Sequence, residues 1–218
     1  FSLLVIATLF IAAAGNIIND IYDIETDLVN RPDKVIVGKT ISEKTALNLF
    51  ISLNVIGVGL GFYLSNTIGR SGFSVIFVII SALLYMYASY LKQTLLIGNV
   101  IVSILVALSI LIVPFFDLLP TITATNRELY LSIFNIALNY AAFAFMVNLL
   151  REIIKDIEDI NGDYKAQMKT LPILIGRDRA TMVAFALSFV PLLAVVNYIA
   201  TQLYNIMLAV IYFLLFVV

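Results

Sequence analysis

Two acidic clusters hold most of the chemistry this chain can offer. Asn16, Asp20, Asp23 and Asp27 form the first, and Glu152, Asp156, Asp159 and Asp163 the second, each with the spacing 4, 3, 4. On a helix, residues three and four apart share a face, so each cluster makes a polar stripe. His and Cys are absent. That removes the commonest general base and the soft metal ligands, and leaves carboxylates, Lys, Arg and Tyr as the reactive inventory. Aspartates crowded into a low-dielectric pocket raise one another's pKa, and a divalent cation relieves them. Oxygen ligands alone select Mg²⁺ or a relative, which joins one or two carboxylates to phosphate oxygens while keeping some water. Arg31, Lys34, Lys92, Arg151 and Lys155 would contact the phosphate oxygens that the metal leaves free. Such a set suits a diphosphate leaving group. Neutralising it as a C–O bond breaks would stabilise the developing charge, and an apolar cavity behind it would hold a hydrocarbon chain and keep water from a carbocation.

The elements that must position these residues are membrane helices. The 218 residues are 62% hydrophobic and 12% charged, with a mean hydropathy of +1.05, too apolar for one soluble core. Six runs have the length that crosses a bilayer: Phe1 to Tyr22, Ala46 to Asn66, Phe73 to Leu91, Gly98 to Phe116, Leu129 to Leu150 and Ala180 to Thr201. A seventh, incomplete run extends from Tyr204 to Val218. The expected fold is all-α, a polytopic transmembrane helix bundle. Residues 1–218 read as a single transmembrane domain truncated at both ends, since Phe1 and Val218 both lie inside apolar runs. The first run lacks a basic leader and a small-residue cleavage site, so it reads as a retained span.

Threading the runs alternately across a bilayer puts eleven of the thirteen Lys and Arg residues on one side, with only Arg70 and Arg127 opposite. This bias assigns the richer side to the cytoplasm, and the same threading brings both acidic stripes there. The loops on that face are also the longer ones. Within them Ser42 reads as a helix cap and Asn30 to Asp33 as a turn, while the helix bearing the second stripe is expected to run out through Asp163 and break near Asn161-Gly162. The two halves resemble each other faintly: each has a long apolar helix, a stripe, a basic loop and a new span. An internal repeat would set the stripes facing one another across a cavity. Elsewhere Gly57 and Gly61 suit close helix packing, Tyr22 and Tyr87 lie near span ends, and Asn139 and Asn148 are expected to line the bundle interior.

The motif Asn19-Asp20-Ile-Tyr-Asp23-Ile-Glu-Thr-Asp27, followed by Asn30-Arg31-Pro32, resembles the first aspartate-rich motif of the UbiA superfamily of intramembrane prenyltransferases. Asp156-Ile-Glu-Asp159-Ile-Asn-Gly162-Asp163 resembles its second, and Tyr87 to Lys92, Gly98-Asn99 and Thr170 to Gly176 are similar to other family segments. The resemblance implies a bundle of nine transmembrane helices, of which about seven would be present here, around a cavity open to the cytoplasmic side. It implies Mg²⁺-dependent transfer of a prenyl group from an allylic diphosphate to a lipophilic acceptor. By matching position, Asn19, Asp23 and Asp27, with Asp20 close by, would serve one metal site, and Asp156, Asp159 and Asp163 the other. Asp23, Asp27, Asp156 and Asp163 would form the catalytic core. Arg31 and Lys92 would hold diphosphate, with Asn19, Lys34, Arg151 and Lys155 as further candidates. The family commonly has a second Arg-Pro where this chain has Lys34-Val35, which keeps the charge and loses the guanidinium fork.

Within the family, Asn148 to Asp159 and Gly15 to Asp20 most resemble the branch that prenylates geranylgeranylglyceryl phosphate in ether-lipid synthesis. Aromatic-acceptor enzymes of quinone synthesis share much of the rest. A divalent cation carrier is the competing reading from another class, disfavoured because transport acids belong near the bilayer midplane and these lie at span ends. The expected partners are a prenyl diphosphate, a lipophilic acceptor and the bilayer. No nucleic acid and no obligatory protein partner is implied.

Overall fold

The computed structural model describes residues 1–202 and 206–216. The long helices are α1 (Ser2–Tyr22), α3 (Glu43–Thr67), α4 (Ser74–Ser89), α5 (Ile97–Asp117), α6 (Arg127–Glu158) and α9 (Arg177–Gln202). Shorter ones are α2 (Ile24–Asn30), α7 (Ile160–Lys165), α8 (Leu171–Ile175) and α10 (Ile206–Phe216). Among the described residues, six helical stretches are long and apolar enough to cross a membrane, and they match the six complete apolar runs. Of the seventh run, the eleven residues of α10 are described, while Tyr204, Asn205, Val217 and Val218 lie outside the described residues.

Helices α1, α3 and α4 pack on one another, α5 packs on α6, and α6 on α9. Small residues set the closest approach, since lipid tails give helices no hydrophobic reason to associate. A Cβ on Gly57 would stand 2.7 Å from the Ile11 side chain and 3.1 Å from the Ala7 carbonyl, and one on Gly61 would enter the Phe77 ring. Gly59, on the other face of α3, meets nothing. Two apolar clusters fasten opposite ends of the bundle. Leu4, Ala7, Ile11, Leu64, Phe77, Ile112 and Phe116 close the end away from the acids. Ile153, Leu171, Ala180 and Ala184 close the end that carries them.

At this second end the connecting segments are laced together. Ser42 caps α3, its Oγ accepting from the Thr45 amide at 3.1 Å. The Lys169 amide donates to the Gln93 carbonyl at 2.8 Å, tying the α7–α8 turn to the α4–α5 connection. Gly98 opens α5 where a Cβ would stand 2.7 Å from the Leu91 carbonyl and from Lys92 Cα, so only glycine lets α5 start beneath the turn that carries Lys92.

One boundary differs from the expectation. The helix bearing the second stripe does not run unbroken to Asn161-Gly162. It breaks at Asp159 (φ −87°, ψ 7°) and resumes as α7. The first stripe breaks in the same way at Asp23 (φ −94°, ψ 0°), between α1 and α2. Asp23 and Asp159 are the third members of their stripes, so the faint repeat in the sequence corresponds to one backbone device used twice. Beyond the two breaks, α2 and α7 pack against each other.

Candidate functional site

The two stripes meet at a cavity of about 40 Å³ lined by Asp23, Asp27, Lys92, Lys155, Asp156, Asp159 and Asp163, with Thr26, Asn30, Tyr87, Met168 and Thr170 completing the wall. Five carboxylates therefore face two lysines in one small space. In the first half, Lys92 Nζ donates to Asp23 Oδ1 at 2.6 Å and to Asn19 Oδ1 at 3.3 Å. Asn19 Nδ2 in turn donates to Asp23 Oδ2 at 2.7 Å, so both oxygens of Asp23 are engaged. In the second half, Asn99 Nδ2 donates to Asp156 Oδ2 at 2.9 Å and Thr170 Oγ1 to Asp163 Oδ2 at 3.1 Å. Arg31 Nη2 reaches across from the first half to Asp159 Oδ1 at 2.9 Å and to Glu158 at 3.4 Å.

Electrostatics follow from this packing. Burial raises the Asp163 carboxyl to about 6 against the Thr170 hydrogen bond that lowers it, with Asp159 and Asp23 adding to the rise. Burial also raises Asp27, helped by the charge on Asp23, and raises Asp159 against the pull of Arg31. The same burial lowers Lys92, while Asp23 holds it up. The cluster thus carries more negative charge than its own cations neutralise. Hard oxygen donors, an excess of carboxylates and a small polar cavity are what Mg²⁺ requires. Among the described residues, however, no three acids already stand close enough to enclose an ion. The donor set fits a divalent cation chemically, and closing around one needs side-chain movement.

The remaining candidates fall elsewhere. Asp20 and Asn16 are exposed on α1 and do not line the cavity. Lys34 is exposed in the turn after Arg31. Arg151, 69% exposed, pairs with Glu152 at 2.6 Å. Glu152 is buried and also accepts from the Tyr87 hydroxyl at 3.3 Å, so the first member of the second stripe braces Tyr87 and does not line the cavity. Tyr87 itself lines the cavity, whereas Tyr22 is exposed and meets Tyr85 at 3.2 Å. Asn148 donates to Ser103 Oγ at 3.2 Å, and Ser103 to the Asn99 carbonyl at 2.6 Å, so a polar chain runs from inside the bundle to Asp156.

Sequence reasoning missed Asn30, Asn99 and Thr170 as site residues. Each is neutral: Asn99 and Thr170 donate to the carboxylates of Asp156 and Asp163, and Asn30 bonds to main-chain atoms of Asp159 and Gly162. A second hollow, of about 400 Å³, lies between α6, α9 and α10 and has no charged residue in its lining; Asn139 and Tyr140 contribute to it. Its nearest α6 residue, Met146, is ten residues from Asp156, about 15 Å along the helix.

Comparisons with known proteins converge on one family. The family model described as the UbiA prenyltransferase family matches residues 1–218. A digeranylgeranylglyceryl phosphate synthase from Methanosphaera stadtmanae is 37% identical over 182 residues, covering 83% of this chain and 60% of that protein. A solved structure reported for digeranylgeranylglyceryl phosphate synthase in membranes superposes with a TM-score of 0.63 at 25% identity, covering 99% of this chain and 71% of the other. A UbiA homologue from Archaeoglobus fulgidus, bound to DMAPP and Mg²⁺, shares the fold with a TM-score of 0.62 at 17% identity, over 99% and 71% of the two chains. The chain spans between 55% and 60% of the length of the first three curated relatives it matches.

Proposed function

The chain belongs to the UbiA prenyltransferase family, and on that premise we propose that it transfers a prenyl group from an allylic diphosphate to a lipophilic acceptor with the help of Mg²⁺. The supporting observation is the convergence of Asp23, Asp27, Asp156, Asp159 and Asp163 on one cavity with Lys92. Asn19, Asp23 and Asp27 would hold one cation and Asp156, Asp159 and Asp163 the other. Bound Mg²⁺ would supply the positive charge that this carboxylate set lacks and that a departing diphosphate needs. Lys92 and Arg31 would hold phosphate oxygens from the two sides. Asn99 engages one oxygen of Asp156 and leaves the other for the cavity. Tyr87, fixed by Glu152, presents an aromatic wall there and helps exclude water from an allylic cation. The acids stand at one end of the bundle, with eleven of the thirteen Lys and Arg residues in the segments at that end, which supports a cytoplasmic active site.

For the acceptor we favour geranylgeranylglyceryl phosphate. The relatives named digeranylgeranylglyceryl phosphate synthase are 34% to 38% identical to this chain, which supports that branch over the aromatic-acceptor one. The test is to supply purified full-length protein with geranylgeranyl diphosphate, with and without Mg²⁺, beside a panel of acceptors that includes geranylgeranylglyceryl phosphate and aromatic acids, and to identify products by mass. A Mg²⁺-dependent digeranylgeranylglyceryl phosphate supports the reading. A prenylated aromatic acid would move the chain to the quinone branch. Metal flux in proteoliposomes with no consumption of diphosphate would replace the enzyme with a carrier.

A further inference from the structure

Asn30 ends α2 in the first half of the chain, yet both of its side-chain bonds go to the second half. Its Nδ2 donates to the Asp159 carbonyl at 3.0 Å, and its Oδ1 accepts from the Gly162 amide at 2.9 Å. Helix α7 begins at Ile160, so Gly162 is its third residue and its N–H has no partner within the helix. The usual solution is a side-chain acceptor on the residue just before the helix. Here that residue is Asp159, and its side chain makes no capping bond. Asn30 makes it instead, from 132 residues away. The Asp159 carboxylate is thereby left to face the cavity, where it meets Arg31.

The fit is close enough to dictate the neighbouring residue. A Cβ on Gly162 would run into the Asn30 amide and stand 2.8 Å from the Thr26 carbonyl. Glycine at 162 thus lets α7 lie against α2, and Asn30 holds it there. The contact also differs in kind from its neighbour. Arg31 grips the Asp159 carboxylate, a group that a cation would claim, whereas Asn30 touches only main-chain atoms and does not compete with a metal.

We infer that Asn30 is a positioning residue that caps α7 from the opposite half of the chain, fixing the two acidic segments across the cavity and freeing Asp159 for cation binding. This deepens the prenyltransferase reading of the same cavity, and its test does not depend on turnover. Losing a residue that orients a metal ligand typically weakens metal affinity by about 10- to 100-fold.

A spin-label pair can be placed at Asp33→Cys and Tyr164→Cys, both exposed sites, since these 218 residues contain no Cys and any Cys in the rest of the full-length protein can be replaced by Ser. In full-length protein, Mn²⁺ binding by electron spin resonance and the label-to-label distance distribution are compared among the parent, Asn30→Ala and Gly162→Ala, with melting temperature measured alongside. The expected results are a roughly tenfold or greater loss of Mn²⁺ affinity and a broadened distance distribution in each variant. Gly162→Ala should cost less when added to Asn30→Ala than on its own, because the amide it collides with is gone. Parent-like Mn²⁺ affinity in Asn30→Ala overturns the inference, whatever the melting temperature, and so does an unchanged distance distribution. Parent protein that binds Mn²⁺ but transfers no prenyl group would overturn the functional reading and leave this one standing. Active parent with an Asn30→Ala variant that binds Mn²⁺ normally would do the reverse.

Discussion

The two acidic segments share a spacing and a backbone break, and they differ in how their charge is compensated. In the first, Asp23 is paired with a lysine, and both side chains are largely buried, Lys92 at 10% and Asp23 at 13% exposure. In the second, Asp156 and Asp163 are held by neutral donors, Asn99 and Thr170, while Arg31 reaches Asp159 from the other half and Arg151 pairs with Glu152, outside the cavity wall. Neutral hydrogen bonds position a carboxylate without cancelling its charge. The first half therefore resembles a closed ion pair, and the second an open ligand set. If both belong to one site, that difference should appear as different responses to the same perturbation.

The largest effects are expected from the acids themselves. Asp156→Ala and Asp23→Ala should each lower prenyl transfer by about 100-fold or more, measured as Mg²⁺-dependent product formation. Activity retained in either variant would separate the halves. Lys92→Met sharpens the comparison through opposite signs. With substrate absent, Mg²⁺ binding by calorimetry should tighten, because Nζ no longer competes for Asp23, while the KM for prenyl diphosphate should rise about tenfold or more.

A third test uses pH. Asp163 holds its proton to about 6 in the folded chain against the usual 3.8, so folding disfavours its ionised form. The folded chain binds more protons than the unfolded one between those values, and the stability of the metal-free protein should fall as pH rises from about 4 to 6. Asp27 and Asp159, also raised, act in the same direction. Added Mg²⁺ should flatten this dependence in thermal unfolding scans, and a slope unchanged by Mg²⁺ would place the cation elsewhere. The smallest effect is expected at Lys34, exposed and outside the cavity wall, where Lys34→Ala should change activity by no more than about twofold.

Much of this was legible in the sequence, for identifiable reasons. Span length and composition gave six helices, and helical periodicity gave the stripes, because both depend on neighbours a few residues away. The packing role of Gly57 and Gly61 was legible because small residues four apart have few other uses in lipid. Asn30 read as a turn residue at the end of the first motif with no role of its own, since its partners lie 129 and 132 positions on. Asn99 was equally hidden, with its aspartate 57 residues away. The break at Asp159 could not be read locally either. Asn30 and Arg31 take hold of the chain at that point, and a contact between halves leaves no periodic trace. Asp20 shows the opposite limit. Its place on the stripe follows from spacing, yet the turn of the helix leaves it exposed beside the cavity lining.

The most direct test of the claim that the stripes are two halves of one site is calorimetric titration of Mg²⁺ in the presence of an unreactive thiolo analogue of geranylgeranyl diphosphate. Joint binding of cation and analogue should be lost in Asp23→Ala and equally in Asp156→Ala, although each variant keeps the other half intact. Either variant binding both partners as the parent does would contradict a single shared site.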